Sequence, residues 1–128
     1  MRAFAYDVLT DPVEAAALHA IVPVARINTT GSGTPIAPFI VIRNRATLPA
    51  MGIQTGGFTV HVHDKAESYK RIDDIIAIID PLLTSSVPAQ WRSRWVSSLE
   101  HLGWSEDLRD DHYGTATRFG TFALHATT

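Results

Sequence analysis

Alternation of apolar and polar residues predicts two strands near the middle of the chain. In residues 58–64, FTVHVHD, every second residue up to Val62 is apolar, which is the period of a strand with one buried face. Residues 39–45, FIVIRNR, begin with apolar residues on both faces, so this strand is predicted to be central in its sheet. A shorter strand is predicted at residues 24–27. The stretches 28–38 and 46–57 are rich in glycine, proline and threonine and are predicted to be irregular loops.

Helical spacing of apolar residues predicts two short helices before the first strand. Phe4 and Val8 lie one turn apart in the first. The second follows a capping box from Asp11 to Glu14 with proline at the first helical position, and it stops at Pro23 because proline has no N–H to donate. The apolar positions of the second helix are Val13, Ala17, Ala20 and Ile21.

A third helix is predicted after the strand at residues 58–64. Asp64 and Glu67 form another D-x-x-E capping box, which predicts the start of the helix. The helix is expected to run to about Asp80, where Pro81 ends or kinks it. Its apolar stripe consists of Tyr69, Ile72, Ile76 and Ile79.

The last third of the chain is partly ambiguous. The apolar residues in 91–104 fit a helix and a strand about equally well, so the period alone leaves both open. Residues 105–114, SEDLRDDHYG, form an acidic connector, and residues 115–126 alternate as a strand does. If both flanks of the connector are strands, they form a long hairpin with a broad acidic tip.

The order of elements predicts an α+β fold. Consecutive strands without intervening helices indicate a mainly antiparallel sheet of four to five strands, with two to three helices packed on one face. The length of 128 residues and the hydrophobic content of 45% are enough for one core, so a single domain spanning residues 1–128 is expected.

Composition and charge exclude several classes of function. The formal charge of -2 lacks the excess of basic residues typical of a protein that grips a phosphate backbone, so sequence-specific nucleic-acid binding is not expected. The chain has no cysteine, which excludes disulfides, thiolate nucleophiles and cysteine-based zinc sites. No apolar run approaches the roughly 20 residues of a membrane-spanning helix, and the N-terminus has no signal-peptide pattern, so no membrane partner is expected.

His61 and His63 are the strongest candidates for a metal or ligand site. They are two residues apart on a predicted strand, so both rings project from the same face, and Asp64 is adjacent. A metal needs at least a third protein ligand, and no further residue stands at a suitable spacing. We therefore interpret the pair as part of a polar outer strand face and predict no metal ligand and no cofactor.

Other candidate chemistry is weaker still. The acidic residues Glu106, Asp107, Asp110 and Asp111 lack the D-x-D-x-D-G calcium pattern and are interpreted as a solvated turn. The serine pairs at 85–86 and 97–98 have no G-x-S-x-G elbow, so we predict no catalytic residue. The glycines of TTGSGT do not match a phosphate-binding loop.

Large aromatic residues bracket the ambiguous segment. Trp91, Trp95 and Trp104 lie there, and Phe119 is on the strand face opposite Phe122. Two interpretations stay open: all of these rings belong to the core, or at least one lies at a subunit interface, where tryptophan is enriched.

Most of the chain resembles the tail terminator or tail completion proteins of long-tailed, siphophage-type bacteriophages. The resemblance is carried by the helical start AFAYDVLTDPVEAAAL, the strand PFIVIRNR after a Gly/Pro-rich loop, the strand FTVHVHD that runs directly into AESYKRIDDIIAIID, and the closing segment GWSEDLRDDHYGTATRFGTFALHA. In that family a sheet flanked by helices assembles into a ring, typically a hexamer, that caps the tail tube and joins the tail to the head.

The resemblance implies specific features for this chain. It implies strands at residues 94–104 and 115–126, no catalytic residues, and interaction elements at residues 28–38, 46–57 and 105–114. It also implies a structural protein of virion assembly, located in the virion at the junction of head and tail after assembly in the host cytoplasm. The implied partners are further copies of this chain in a homohexameric ring, the major tail tube protein and a head-closure or connector protein, with DNA passing through the lumen.

Two alternatives remain from the sequence. Another phage neck component, such as a head-closure or connector protein, has a comparable pattern. A small metal-binding or ligand-binding protein that uses His61 and His63 belongs to a different class, and stoichiometric metal in the purified protein would favour it.

Overall fold

Seven strands and three α-helices occur in the residues that the computed structural model describes, which are residues 2–29, 35–50 and 53–127. The helices are α1 (Arg2–Leu9), α2 (Ala16–His19) and α3 (Tyr69–Ser85). The strands are β1 (Ile27–Asn28), β2 (Phe39–Ala50), β3 (Ile53–Lys65), β4 (Ala89–Trp91), β5 (Arg94–Trp104), β6 (Leu108–Asp110) and β7 (Thr115–Thr127).

The strands form one sheet in the order β1-β2-β3-β7-β5-β4, and β6 pairs with β7 beyond the end of β5. The α+β class is confirmed, but the sheet is larger than the predicted four to five strands and it is mixed. Four long antiparallel strands, β2, β3, β7 and β5, form its body. Three short strands of two or three residues add to it, and β1 runs parallel to β2. Strands this short lack a readable period, so the sequence could not predict them.

The helices pack on one face of the sheet. Buried residues of α1, α2 and α3 contact the sheet residues whose side chains point to the same side, because alternate residues of a strand share a face. On β2, β3 and β7 the buried apolar residues of this face are Ile40, Ile42, Phe58, Val60, Val62, Ala116, Phe122, Leu124 and Ala126. We call this side the helix face and the opposite side the helix-free face.

The second helix uses a different apolar stripe from the predicted one. Val13 is 79% exposed, whereas Ala15, Leu18 and Val22 are buried. In a segment with three consecutive alanines, periodicity does not distinguish neighbouring faces, and the branched Leu18 determines which face is buried. The predicted cap at the start of the second helix is wrong, because α2 begins at Ala16, after Ala15, without a side-chain cap. Asp11 Oδ1 instead accepts hydrogen bonds from the backbone N–H groups of residues 13 and 14 at 2.9 Å each, within the turn that precedes α2.

The third helix begins later than predicted and continues past its proline. Ser68 precedes its first residue, so the Asp64 and Glu67 capping box is wrong: Asp64 is still part of β3, and Glu67 adopts a left-handed backbone with φ of 68°. Pro81 lies inside α3, which ends at Ser85 rather than near Asp80. The residues that face the core are Ile72, Ile75, Ile76, Ile79 and Leu83.

The predicted loop at residues 46–57 is mostly strand. β2 continues to Ala50, and β3 begins at Ile53 and pairs with it. The two consecutive glycines suggested a loop, but Gly57 lies within the sheet, where it pairs with residues 45 and 123. Glycine is required there because a Cβ would approach the backbone oxygen of Phe122 to 2.8 Å. Residues 51 and 52 of this loop, and residues 30–34 of the loop predicted at 28–38, lie outside the described residues.

Two further segments differ from their predictions. The strand predicted at residues 24–27 is a 3-10 turn over Val24–Arg26, and strand pairing begins only at Ile27.

The ambiguous segment at residues 91–104 contains strand β5, which forms the long hairpin with β7. The acidic connector is not all loop, because β6 occupies part of it. β2 is second from the edge, although its first four residues are buried on both faces as predicted.

Candidate functional site

The helix-free face carries a row of stacked rings from three adjacent strands. His61 and His63 both project there, as predicted, with ring centroids 6.4 Å apart. His61 stacks on Phe119 at 5.3 Å, and His63 stacks on Phe39 at 4.5 Å. Tyr113, from the turn between β6 and β7, packs edge-on against the His63 ring at 5.4 Å. Phe119 lies on the face opposite the core residue Phe122, also as predicted.

His63 is buried rather than part of an open polar face, so that interpretation is wrong for this residue. Its exposed fraction is 3%, and its Nδ1 is 2.9 Å from Thr115 Oγ1. Burial lowers the pKa of His63 to about 4, an effect partly opposed by the negative charge of Asp110. Burial and the positive charge of Arg43 also lower the pKa of His61. Both rings are therefore neutral near neutral pH.

The structure separates the three residues of the candidate metal site. Asp64 is fully buried on the helix face, where both of its carboxylate oxygens accept hydrogen bonds from Arg71 of α3. His61 Nε2 is 3.0 Å from Thr59 Oγ1. Within residues 2–29, 35–50 and 53–127, no group of three or more histidine, aspartate or glutamate side chains is arranged to hold a metal ion.

The acidic connector is partly paired within the chain. Asp110 accepts hydrogen bonds from the backbone N–H groups of His112 and Tyr113 at 2.9 and 3.1 Å, which fixes the turn before β7. Arg118 of β7 lies 3.8 Å from Asp107 and 2.8 Å from Asp73 of α3. The connector is therefore tied to the helix face at its base.

The two serine pairs lie at different places in the fold, one at the end of α3 and one on β5. Ser85 and Ser86 lie at the end of α3, where their hydroxyls donate to the backbone oxygens of residues 82 and 83. They line an open cleft of about 370 Å³ together with Val8, Asp11, Glu14 and Leu82. Ser97 is on β5, and its hydroxyl donates to the backbone oxygen of His125 at 3.2 Å.

The three tryptophans have different surroundings. Trp91 Nε1 donates to Asp7 of α1 at 2.8 Å, and Trp104 Nε1 donates to Asp80 of α3 at 2.9 Å. Trp95 is 45% exposed. The interpretation that all of these rings belong to the core is therefore wrong for Trp95.

Sequence reasoning missed the turn between β4 and β5. Arg92 adopts a left-handed backbone there with φ of 53°, and its guanidinium lies 4.6 Å from the centre of the Trp91 ring. The other side of the turn carries Arg94 and the exposed Trp95. The sequence does carry a signal for this turn, the symmetric run WRSRW at residues 91–95, in which an arginine and a tryptophan stand on each side of a serine.

The sheet has two uncovered edges within the described residues. β1 covers the outer side of β2 only at Ile40 and Val41, and β4 covers the outer side of β5 only at residues 94–96. Register shifts interrupt β2 after Arg45 and interrupt β5 on both sides of residues 98–101. We call residues 42–45 the open edge of β2 and residues 98–101 the open edge of β5.

Among the described helices, none has the length and apolar character that crossing a membrane requires.

The comparison with known proteins gives a structural neighbour. No protein-family model matches the sequence, and no curated protein matches it. A chain from the solved structure described as "Virion of native gene transfer agent (GTA) particle" aligns with 100% of this chain and 95% of its own length, with a TM-score of 0.71 and 15% sequence identity. At this identity the similarity shows that the two chains share a fold.

Proposed function

We propose that this chain is a structural protein of a phage-like virion, and specifically a tail terminator that caps the tail tube and joins the tail to the head. One observation carries the proposal: over its full length the chain shares its fold, at a TM-score of 0.71, with a chain from a virion. The assignment to the tail terminator, rather than to another virion protein, rests on the resemblance of the sequence to that family.

The proposed mechanism is passive and needs no catalytic step. A ring of copies, with six as the expected number, ends tube growth when one face matches the last ring of the tube and the other face offers no site for another tube subunit. The copies must meet through a contact that closes on itself, because a head-to-tail contact that does not close produces a filament. In this proposal the chain acts in the virion and binds no cofactor.

The proposal is tested first by removing the protein from an assembling particle. We expect tails of uncontrolled length, or heads and tails that stay separate, in electron micrographs of the lysate. Supplying the chain in trans should restore tails of uniform length that are joined to heads. Normal tails on joined particles in its absence would contradict the proposal.

A second experiment separates a terminator from a head-closure protein. Purified chain is mixed either with isolated tails or with isolated DNA-filled heads, and the bound protein is located by electron microscopy. A terminator should bind the tail end and form rings there, whereas a head-closure protein should bind the head vertex. Binding to heads alone would favour the other neck component.

A further inference from the structure

The two open edges of the sheet run in opposite directions. β2, β3, β7 and β5 are successive neighbours, and each pair is antiparallel, so three reversals separate β2 from β5. Suppose that each strand of a neighbouring copy points in the same direction as the same strand of the first copy. Because β2 and β5 run in opposite directions, β2 of the neighbour then lies antiparallel to β5 of the first copy. The backbone groups on both edges are then oriented for an antiparallel ladder.

Charge distinguishes this pairing from the two symmetric ones. On the helix-free face, the open edge of β2 carries Arg43 and Arg45, and the open edge of β5 carries Glu100. All three side chains are exposed, and none makes an ion pair with another described residue. Pairing β2 with β2 would oppose arginines, and pairing β5 with β5 would oppose glutamates. Like charges directly across a ladder are destabilising, whereas opposite charges stabilise it.

The register follows from the faces. Residues that are directly opposite in an antiparallel pair share a face, so Glu100 must stand opposite Arg43 or Arg45 rather than Asn44. When Glu100 lies opposite Arg43, Ser98 lies opposite Arg45. Arg45 is then the diagonal neighbour of Glu100 across the ladder, within reach of its carboxylate.

Irregularities limit the length of such a ladder. On β5 the register shifts between residues 96 and 98 and again between 101 and 103, where Gly103 has φ of 121°. On β2 the register shifts after Arg45. Bulges of this kind bend a strand and end its pairing. The regular parts of the two edges are therefore both four residues long, 42–45 and 98–101, and they match in length.

We propose that copies of this chain associate head to tail through these edges, with residues 42–45 of one copy pairing antiparallel with residues 98–101 of the next, and with Glu100 facing Arg43 and Arg45. This inference rests on the proposed ring and specifies its contact. Each copy uses one edge of each kind, so a closed ring leaves neither edge open.

Charge reversal tests the contact. One variant combines Arg43→Glu with Arg45→Glu, and a second carries Glu100→Arg. In a sample of either variant alone, residues of like charge face each other at every contact. The dissociation constant of assembly, measured by sedimentation velocity, should therefore rise about tenfold or more. An equimolar mixture should recover assembly, because alternating copies restore opposite charges at every contact. The matched controls Lys70→Glu and Asp74→Arg alter exposed residues of α3, outside both edges and outside the implied interaction elements, and should leave assembly unchanged.

Hydrogen exchange tests the backbone ladder itself. When the concentration of the wild type is raised, outward-facing amides within residues 42–45 and 98–101 should become protected, while the amides of residues 13–15, in the turn before α2, should not change. Circular dichroism and thermal unfolding of each variant at low concentration establish that it still folds. Protection that is absent from both edges in assembled wild type would overturn the inference.

The outcomes separate this inference from the proposed function. Rings that both charge variants form as readily as the wild type would overturn the edge contact and leave the terminator proposal standing. Loss of assembly in each variant without recovery in the mixture would also overturn it, because a head-to-tail contact requires that recovery. A wild type that stays monomeric, alone and on isolated tails, would overturn both the ring and its contact.

Discussion

Gly120 shows how one position constrains the packing of a large side chain. Trp104 lies directly across from it on β5, and a Cβ at position 120 would come within 2.9 Å of the indole ring. The ring in turn packs edge-on against Phe122 and donates its N–H to Asp80. The indole is therefore held between the sheet and α3 at a site that only glycine leaves free.

We expect Gly120→Ala to lower the free energy of unfolding by about 1–3 kcal/mol, because the indole must shift from its hydrogen bond and its packing. Urea denaturation measures the change. In a Trp104→Ala background the same substitution should have a much smaller effect, since the clash is removed. Equal losses in both backgrounds would contradict this explanation.

His63 should make stability depend on pH. Its pKa is near 6.5 in the unfolded chain and about 4 in the folded chain, so between these values the unfolded state binds more protons. The contribution of the neutral His63 ring to the free energy of unfolding is fully present above pH 6.5 and is lost as the pH falls to about 4. The free energy of unfolding should change by about 2–3 kcal/mol over this range. The advantage of wild type over His63→Gln should therefore shrink across this window. His112→Gln, on an exposed turn, is the control, and a constant difference would contradict the prediction.

At the scale of elements, one ion pair joins the end of β3 to the start of α3. Asp64 is fully buried and receives two hydrogen bonds from Arg71, whose side chain is 43% exposed. Because Asp64 also accepts from its neighbouring backbone N–H, the carboxylate fixes the chain where strand gives way to helix. The exposed side of the guanidinium is screened by solvent, which limits the strength of the pair.

We expect Asp64→Asn to destabilise the fold by about 1–3 kcal/mol, because charge-assisted hydrogen bonds within the protein are lost. Arg71→Ala should cost a similar amount, since it leaves a buried carboxylate without its partner. The two losses should be non-additive in the double variant, as thermal unfolding would measure. Lys70→Ala on the exposed side of α3 is the matched control, and additive losses would contradict the pairing.

Elements with a strong period could be predicted from the sequence, and those set by contacts distant in sequence could not. The alternation at residues 58–64 and the stripe of isoleucines in α3 correctly predicted a strand and a helix. Gly57 was misread because its role depends on a backbone oxygen 65 positions away in sequence, at Phe122. The His61 and His63 pair was placed on the correct face, but the burial of His63 depends on Phe39 and Tyr113, which no local pattern brings together.

At the scale of the whole molecule, tryptophan hydrogen bonds connect the β4–β5 hairpin to two helices. Trp104, the last residue of β5, donates to Asp80 of α3, and Trp91, the last residue of β4, donates to Asp7 of α1. A sheet and helices joined in this way share one core and should unfold together.

We expect one cooperative unfolding transition. Far-ultraviolet circular dichroism, which reports mainly the helices, and tryptophan fluorescence, which reports the β4–β5 region, should give the same midpoint and the same slope in urea. Asp80→Asn, which weakens the link from Trp104 to α3, should lower both midpoints together. A fluorescence transition that clearly precedes the loss of helix would contradict a single cooperative unit.

The unequal exposure of the tryptophans gives the chain an intrinsic optical reporter. Two indoles are held by carboxylates, while Trp95 is 45% exposed on the strand that carries one open edge. Iodide should therefore quench the emission of Trp95 most strongly. A subunit that docks along β5 would shield this ring from the quencher, so assembly could be followed in unlabelled protein by the loss of quenching alone.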